Sequence, residues 1–166
     1  EPTKAGRLIT DFVNDNLSNW YVEIIDTDET CPTLSYNTIS RHQSKIVRVR
    51  VATEKSPWLT NVKAGDIFSV PISHGEGRIL AEDKLVQELA AKGQILTQYV
   101  DENGLPTNDI QFNPNGSTYA IEGLISPDGR VLGKMGHAER IGDGLYQNVA
   151  GNYDMKLFKS MVEYFK

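Results

Sequence analysis

Residues 117–140 read STYAIEGLISPDGRVLGKMGHAER. Two short apolar runs flank Ser126-Pro127-Asp128-Gly129, a tetrad with the chemistry of a tight turn: proline presets φ, aspartate accepts from nearby amides, and glycine takes a left-handed conformation without strain. The spacing predicts two strands joined as a hairpin, the second running out into His137-Ala138-Glu139. Extended residues i and i+2 project to the same side of the backbone. Glu139 is therefore expected to face the His137 imidazole. A carboxylate that orients an imidazole makes a general base, and such a base needs a hydroxyl or thiol supplied from elsewhere in the fold.

Working outward, GDIFSVPISHGEGRIL (65–80) predicts a strand over 67–72 that enters a loop at Ser73–Gly77. His74 stands there between a serine and two glycines. Either the glycines let backbone amides approach a small polar substrate, or they supply positive φ in an ordinary strand-to-helix turn. In SKIVRVRVAT (44–53), Val47, Val49 and Val51 alternate with Arg48 and Arg50, the period of a half-buried strand. A helix is expected over 82–92, with Leu85, Val86, Leu89 and Ala90 on one face and Gly93 to end it. GQILTQYVD (93–101) reads as a strand, and ENGLPTND (102–109) as a turn-rich excursion. FNPNGS (112–117) is either a turn or a place where side-chain amides meet a ligand.

Nearer the start, AGRLITDFVNDNLSN (5–19) predicts a short helix, and WYVEIIDTDETCPTLSYN (20–37) a strand followed by a long loop. The last segment, NYDMKLFKSMVEYFK (152–166), predicts a docking helix behind an Asn152 cap, with Leu157, Phe158, Met161, Val162 and Phe165 in one stripe. Mixed strands and helices, with polar candidates at strand ends, favour a three-layer α/β sheet with its site at the strand termini. The strand count is low for a complete doubly wound domain.

Composition narrows the function classes. At 166 residues the chain suits one domain, and a domain of this size buries about 70% of the surface its unfolded chain exposes. The net charge of -5 disfavours nonspecific attraction to phosphate backbones or anionic lipid. The single cysteine, Cys31, allows no internal disulfide, so a cytoplasmic, reducing compartment is the expected default. No apolar run approaches the roughly 20 residues of a membrane span, and the first residues have no signal-peptide character. There is no phosphate-cradling GxxxxGK, no GxGxxG and no ligand set for zinc or another metal.

Two other candidates are weaker. Cys31 sits in TDETCPT, where acidic neighbours oppose a thiolate and no glycines build a sharp elbow. Arg48 and Arg50, with Arg41, His42 and Lys45 nearby, could contact phosphates, but no aromatic residue interleaves with them. A solvated strand face explains them better.

Taken together, VPISHGEGR, FNPNGSTYAIEGLISPDGRVLGKMGHAER, TCPTLSYN and NYDMKLFKSMVEYFK agree in order and spacing with one family. They resemble the C-terminal glutaminase domain of phosphoribosylformylglycinamidine synthase of the large single-chain type, over nearly everything from about Ile24 onward. The resemblance implies a class I glutamine amidotransferase (flavodoxin-like) fold, incomplete in its N-terminal part. It also implies a Cys/His/Glu triad that hydrolyses glutamine and passes ammonia to a synthetase domain. There the ammonia serves the amidation of formylglycinamide ribonucleotide in purine synthesis, with ATP and magnesium belonging to the synthetase part and no cofactor to this chain. By position, His137 matches the general base and Glu139 its orienting acid. Ser73, His74, Gly75 and Glu76 match the loop bordering the glutamine pocket.

The nucleophile does not carry over. The family's cysteine stands in a Gly-x-Cys-Asn-Gly elbow, which these 166 residues lack, and Cys31 matches a position beyond it. Residues 1–19 resemble the segment after the family's oxyanion loop, and the segment from Trp20 resembles the stretch just beyond the elbow helix. A strand-turn-helix unit is thus expected to be missing between residues 19 and 20, along with the strands before Glu1, which makes 1–166 one partial domain. Without nucleophile or oxyanion donors, the chain as it stands is expected not to hydrolyse glutamine. The expected partners are glutamine and the synthetase domain, with neither nucleic acid nor membrane. The competing reading is a truncated, noncatalytic relative kept for interaction or scaffolding. A nucleic-acid binder using Arg48 and Arg50 is disfavoured by charge.

Overall fold

A computed structural model describes residues 31–166. The short helix expected around Leu8–Val13 and the strand expected from Trp20 lie outside the described residues.

The valine alternation of residues 47–51 forms β2 (Gln43–Val51), with Val47, Val49 and Val51 buried. β-branched side chains at every second position suit a pleated surface with one face in the core. β3 (Ile67–His74) pairs antiparallel with β2 in unbroken register, from Gln43 opposite His74 to Arg50 opposite Ile67. β5 (Ile95–Tyr99), β6 (Ile121–Ile125) and β7 (Leu132–Lys134) complete a five-stranded antiparallel sheet of order β3-β2-β5-β6-β7. A separate two-stranded ribbon joins β1 (Thr33–Ser35) to β4 (Arg78–Leu80). The ribbon has no counterpart in the sequence expectations, since strands of three residues are too short to show a period.

Apolar residues pack on both faces of the sheet. One cluster gathers Val47, Val49, Val51, Phe68, Val70, Ile72, Leu96 and Ile125 against Met155 and Leu157. The other gathers Ile79, Ile95 and Ile121 under Val86 and Leu89 of α1 (Asp83–Ala91). Neighbours Ile95 and Leu96 thus enter opposite clusters, as the two-residue period of β5 requires. Gly93, with φ of 66°, follows α1 at the left-handed position that commonly ends a helix. The α/β expectation holds, while every strand pair among the described residues is antiparallel.

The hairpin forms as its turn chemistry predicts. The Gly129 amide donates to the Ser126 carbonyl (2.8 Å), Ser126 N–H donates to the Val131 carbonyl (2.9 Å), and Gly129 has φ of 73°. The Ser126 hydroxyl and the Arg130 amide both donate to Asp128, holding its carboxyl below the usual range. Beyond β7 the sheet curls back on itself: His137 N–H donates to the Pro71 carbonyl (2.8 Å) and Ser69 N–H to the Asn152 carbonyl (2.7 Å), which covers the free edge of β3. Edge coverage of this kind removes unpaired backbone groups from solvent.

The last helix departs from expectation. α2 spans Leu157–Tyr164, and Asn152 does not cap it: Lys156 precedes it in a left-handed conformation with φ of 54°. Leu157, Ser160 and Met161 face inward instead of the whole stripe, and Phe158, Val162 and Phe165 are exposed. The Ser160 hydroxyl accepts from Asn61 N–H and from its side-chain amide (3.3 and 3.1 Å), and this contact selects the face that docks. No helix among the described residues is long and apolar enough to cross a membrane.

Candidate functional site

His137 Nδ1 lies 2.7 Å from Glu139 Oε1, with the imidazole 28% exposed. The pair does not sit on a strand, as the i, i+2 argument supposed. β7 ends at Lys134, and residues 135–139 form a bend and turn. The turn still brings the two side chains together, because His137 N–H is anchored on β3 and Arg140 N–H closes back on the His137 carbonyl (3.2 Å). Burial works to raise the Glu139 carboxyl. Its own backbone N–H, the His137 hydrogen bond and the charges of His137 and Arg140 prevail and hold it below the usual carboxylate range. An imidazole whose Nδ1 donates to a carboxylate leaves Nε2 free to take a proton. That is the chemistry of a general base.

Ser73 and His74 close β3, and Gly75 and Glu76 lead to Gly77 and β4. The structure brings this loop to the His137 turn, since both are anchored on the end of β3 and the charge of His137 is felt at His74. The Ser73 hydroxyl lies 3.3 Å from His42 Nε2, and Glu76 is exposed. Neither Gly75 nor Gly77 has positive φ, which removes the ordinary-turn explanation of the glycines. Space explains Gly77: a Cβ there would stand 2.1 Å from two His74 ring atoms and 2.7 Å from Asn115 Nδ2. Gly77→Ala is therefore expected to push the His74 ring out of place and to destabilise the fold by about 1–3 kcal/mol. Urea unfolding and the His74 ring resonances would check this; unchanged values in both would contradict it.

Two asparagines hold the loop: Asn115, from the FNPNGS stretch whose side-chain amides were a candidate, and Asn37, which the sequence did not single out. Asn37 donates to the His74 carbonyl (2.8 Å) and accepts from Gly77 N–H (3.1 Å). Asn115 Nδ2 lies 2.8 Å from His74 Nε2, 2.8 Å from the Tyr99 hydroxyl and 3.0 Å from the Gly77 carbonyl, while its Oδ1 is buried without a partner among the described residues. Asn113 is spent within its own turn, bonded to Ser117 N–H and carbonyl (3.1 and 2.8 Å). FNPNGS is thus a turn that also reaches the site through Asn115. The signal available in sequence was only the presence of asparagines in turns, where local capping already accounts for them.

Burial is the main cause that lowers the His74 pKa below 6.5; the Asn115 hydrogen bond opposes it and the charge of His137 adds to it. A depressed folded-state pKa means that the unfolded chain binds the proton first. The His74 contribution to stability is therefore complete above about 6.5 and declines as pH falls through that value toward the folded pKa. His74→Gln is expected to flatten the urea midpoint between pH 7.5 and pH 5.5 relative to the unmodified chain. An equal decline in both would place the pH dependence elsewhere.

Cys31 is half-buried. Thr33 pairs with Leu80 and Ser35 with Arg78, so Cys31 lies at the opposite end of the ribbon from the His74 loop. Arg48 donates to the carbonyls of Asp101 and Glu102 (3.1 and 2.8 Å), a structural use of a candidate phosphate contact. Among the described residues no group of three His, Cys, Asp or Glu side chains could hold a metal ion.

A curled antiparallel sheet in an α/β chain, with a His-Glu pair beyond its last strand, defines a class I glutamine amidotransferase fold. A family model described as a CobB/CobQ-like glutamine amidotransferase domain matches residues 16–165, and the chain belongs to that family. Phosphoribosylformylglycinamidine synthase subunit PurQ of Methanosarcina barkeri is 33% identical, over 79% of this chain and 54% of its own length. The subunit of the same name from Thermomicrobium roseum is 38% identical, over 70% and 47%. That of Methanococcus maripaludis is 32% identical, over 97% and 66%. A solved structure described as PurLQS from Thermotoga maritima matches with TM-score 0.58 and 25% identity, over 81% of this chain and 53% of the solved one. The chain thus spans about half to two thirds of the length of these relatives. The Methanococcus alignment runs over 187 positions against 166 residues here, so that relative has residues with no counterpart in this chain.

Proposed function

We propose that this chain is the glutaminase portion of a phosphoribosylformylglycinamidine synthase, supplying ammonia from glutamine for the ATP-dependent amidation of formylglycinamide ribonucleotide in the cytoplasm. The single observation that carries the reading is the His137 Nδ1 to Glu139 Oε1 contact of 2.7 Å, set beside the Ser73–Glu76 loop in a member of a glutamine amidotransferase family. His137 Nε2 takes the proton of a cysteine thiol that these residues do not include. The thiolate attacks the glutamine side-chain carbonyl, ammonia leaves, and water hydrolyses the thioester, with His137 moving the proton at each stage. Glu139 holds the Nδ1–H tautomer. Ser73, His74, Gly75 and Glu76 border the glutamine.

The names of the relatives support a synthetase partner, as PurQ is there a subunit. The motif resemblance further supports a single large chain in which that partner is fused. The motif resemblance gives ATP and magnesium to the synthetase part. The extra aligned positions in the Methanococcus relative support a segment that this chain lacks, and the motif resemblance puts it between residues 19 and 20. The intact denatured mass of the purified protein tests this directly. A mass clearly above 18.5 kDa, with covalent labelling by a glutamine-mimicking electrophile, is the expected result.

A second reading has its own observation: the one cysteine of the chain lies at the other end of the β1–β4 ribbon from the His74 loop. On it the chain is a truncated, noncatalytic relative that keeps the fold for interaction. A mass of 18.5 kDa with no labelling would favour it.

A further inference from the structure

Glu122 is completely buried on β6, and Lys134 on β7 is 7% exposed, with Nζ 2.9 Å from Glu122 Oε1. A buried ion pair is weak evidence for stability, since well-packed apolar residues of similar volume often serve as well or better. What distinguishes this pair is where its remaining hydrogen bonds go. Gly136 N–H donates to Glu122 Oε1, and Lys134 Nζ donates to the Gly136 carbonyl (2.9 Å). The Thr97 hydroxyl donates to Glu122 Oε2, and Met135 N–H to the Glu122 backbone carbonyl (3.0 Å). Both peptide groups around Gly136 are thereby fixed, one residue before the imidazole. A Cβ at Gly136 would stand 2.6 Å from Val70 Cγ2 and 2.9 Å from Glu122 Oε1, so the backbone is seated directly on the pair.

We infer that Glu122 and Lys134 are positioning residues: together they clamp Gly136 and so set the turn that holds His137 against Glu139. The inference deepens the glutaminase reading, on which the catalytic meaning of His137 rests. Its structural content stands apart from that reading. With the pair removed, Gly136 N–H and carbonyl lose their buried partners and the turn moves to hydrate them. The imidazole then loses its fixed approach to Glu139.

Nitrogen-15 NMR of the unmodified chain and of Glu122→Leu/Lys134→Met tests the clamp without needing a cysteine or glutamine. Of the three histidines, His42 serves as the internal reference. In the unmodified chain the Gly136 amide is expected to be protected and His137 to be the Nδ1–H tautomer. In the double variant, Gly136 exchange should rise about tenfold to a hundredfold, the equivalent of one hydrogen bond to a charged group, and His137 should lose its tautomer preference while His42 is unchanged. A folded double variant with lower stability but the same His137 tautomer and Gly136 exchange would overturn the proposal, leaving the pair a merely structural one. If the double variant does not fold, the unmodified chain decides: an unprotected Gly136 amide or an unbiased His137 tautomer overturns the clamp. Loss of the glutaminase reading would appear separately, as absence of hydrolysis by the complete enzyme with the His137 signals intact.

Discussion

His137→Ala in the complete enzyme is expected to lower glutamine hydrolysis by about 10²–10⁴-fold, the range a positioned general base contributes, with folding unaffected. The imidazole is partly exposed and its contacts are few: one side-chain partner and a backbone anchor that alanine keeps. Glu139→Gln should cost less, because an amide oxygen can still accept from Nδ1, though it no longer stabilises an imidazolium. The Glu139 carboxyl is held below its ordinary range, so the support it gives is present above that range and is lost as pH falls through the depressed folded value. Activity measured with externally supplied ammonia should persist in both variants if the synthetase is intact. Hydrolysis within a few-fold of the unmodified enzyme after His137→Ala would remove His137 from the base role and with it the main support for the proposed function.

The largest effect on stability is expected from Lys134→Met. The substitution keeps most of the stem volume but leaves the Glu122 carboxylate buried with only Thr97 and Gly136 as donors. Breaking a buried pair from one side costs about 3–5 kcal/mol, a large fraction of the stability of a domain this size. Adding Glu122→Leu should recover much of that loss, since no charge then remains uncompensated. Urea unfolding of the single and double variants measures both steps. A single variant within about 1 kcal/mol of the unmodified chain would mean that Glu122 finds water or protonates at little cost, and the pair would not be the closed unit described.

Several elements were legible in the sequence because their signals are local. The valine alternation of β2, the Ser126–Gly129 turn and the Val86–Leu89 face of α1 each follow from a period or a φ requirement that a few consecutive residues satisfy. The start of α2 was not legible. Asn152 is a good cap by type, yet its carbonyl is drawn to Ser69 on β3, and the helix begins only after Lys156. The exposed Phe158, Val162 and Phe165 show the same limit, since a stripe gives a face but not what lies opposite it.

The candidate site divides along the same line. The sequence by itself determined that His137 and Glu139 could meet, since two residues apart leaves them within reach in either a strand or a turn, and it marked Ser73–Glu76 through the motif they form. Only the tertiary structure decided that these two segments share one place, because a hydrogen bond from His137 to Pro71 joins residues 66 positions apart. It alone assigned Asn37 and Asn115 to His74, gave Gly77 its steric reason, and turned Glu122 and Lys134 from strand residues into a clamp on Gly136. The physical reason is that periodicity and turn chemistry act over a few residues of chain. Satisfying a buried amide or carboxylate depends instead on whatever the completed fold places within about 3 Å of it.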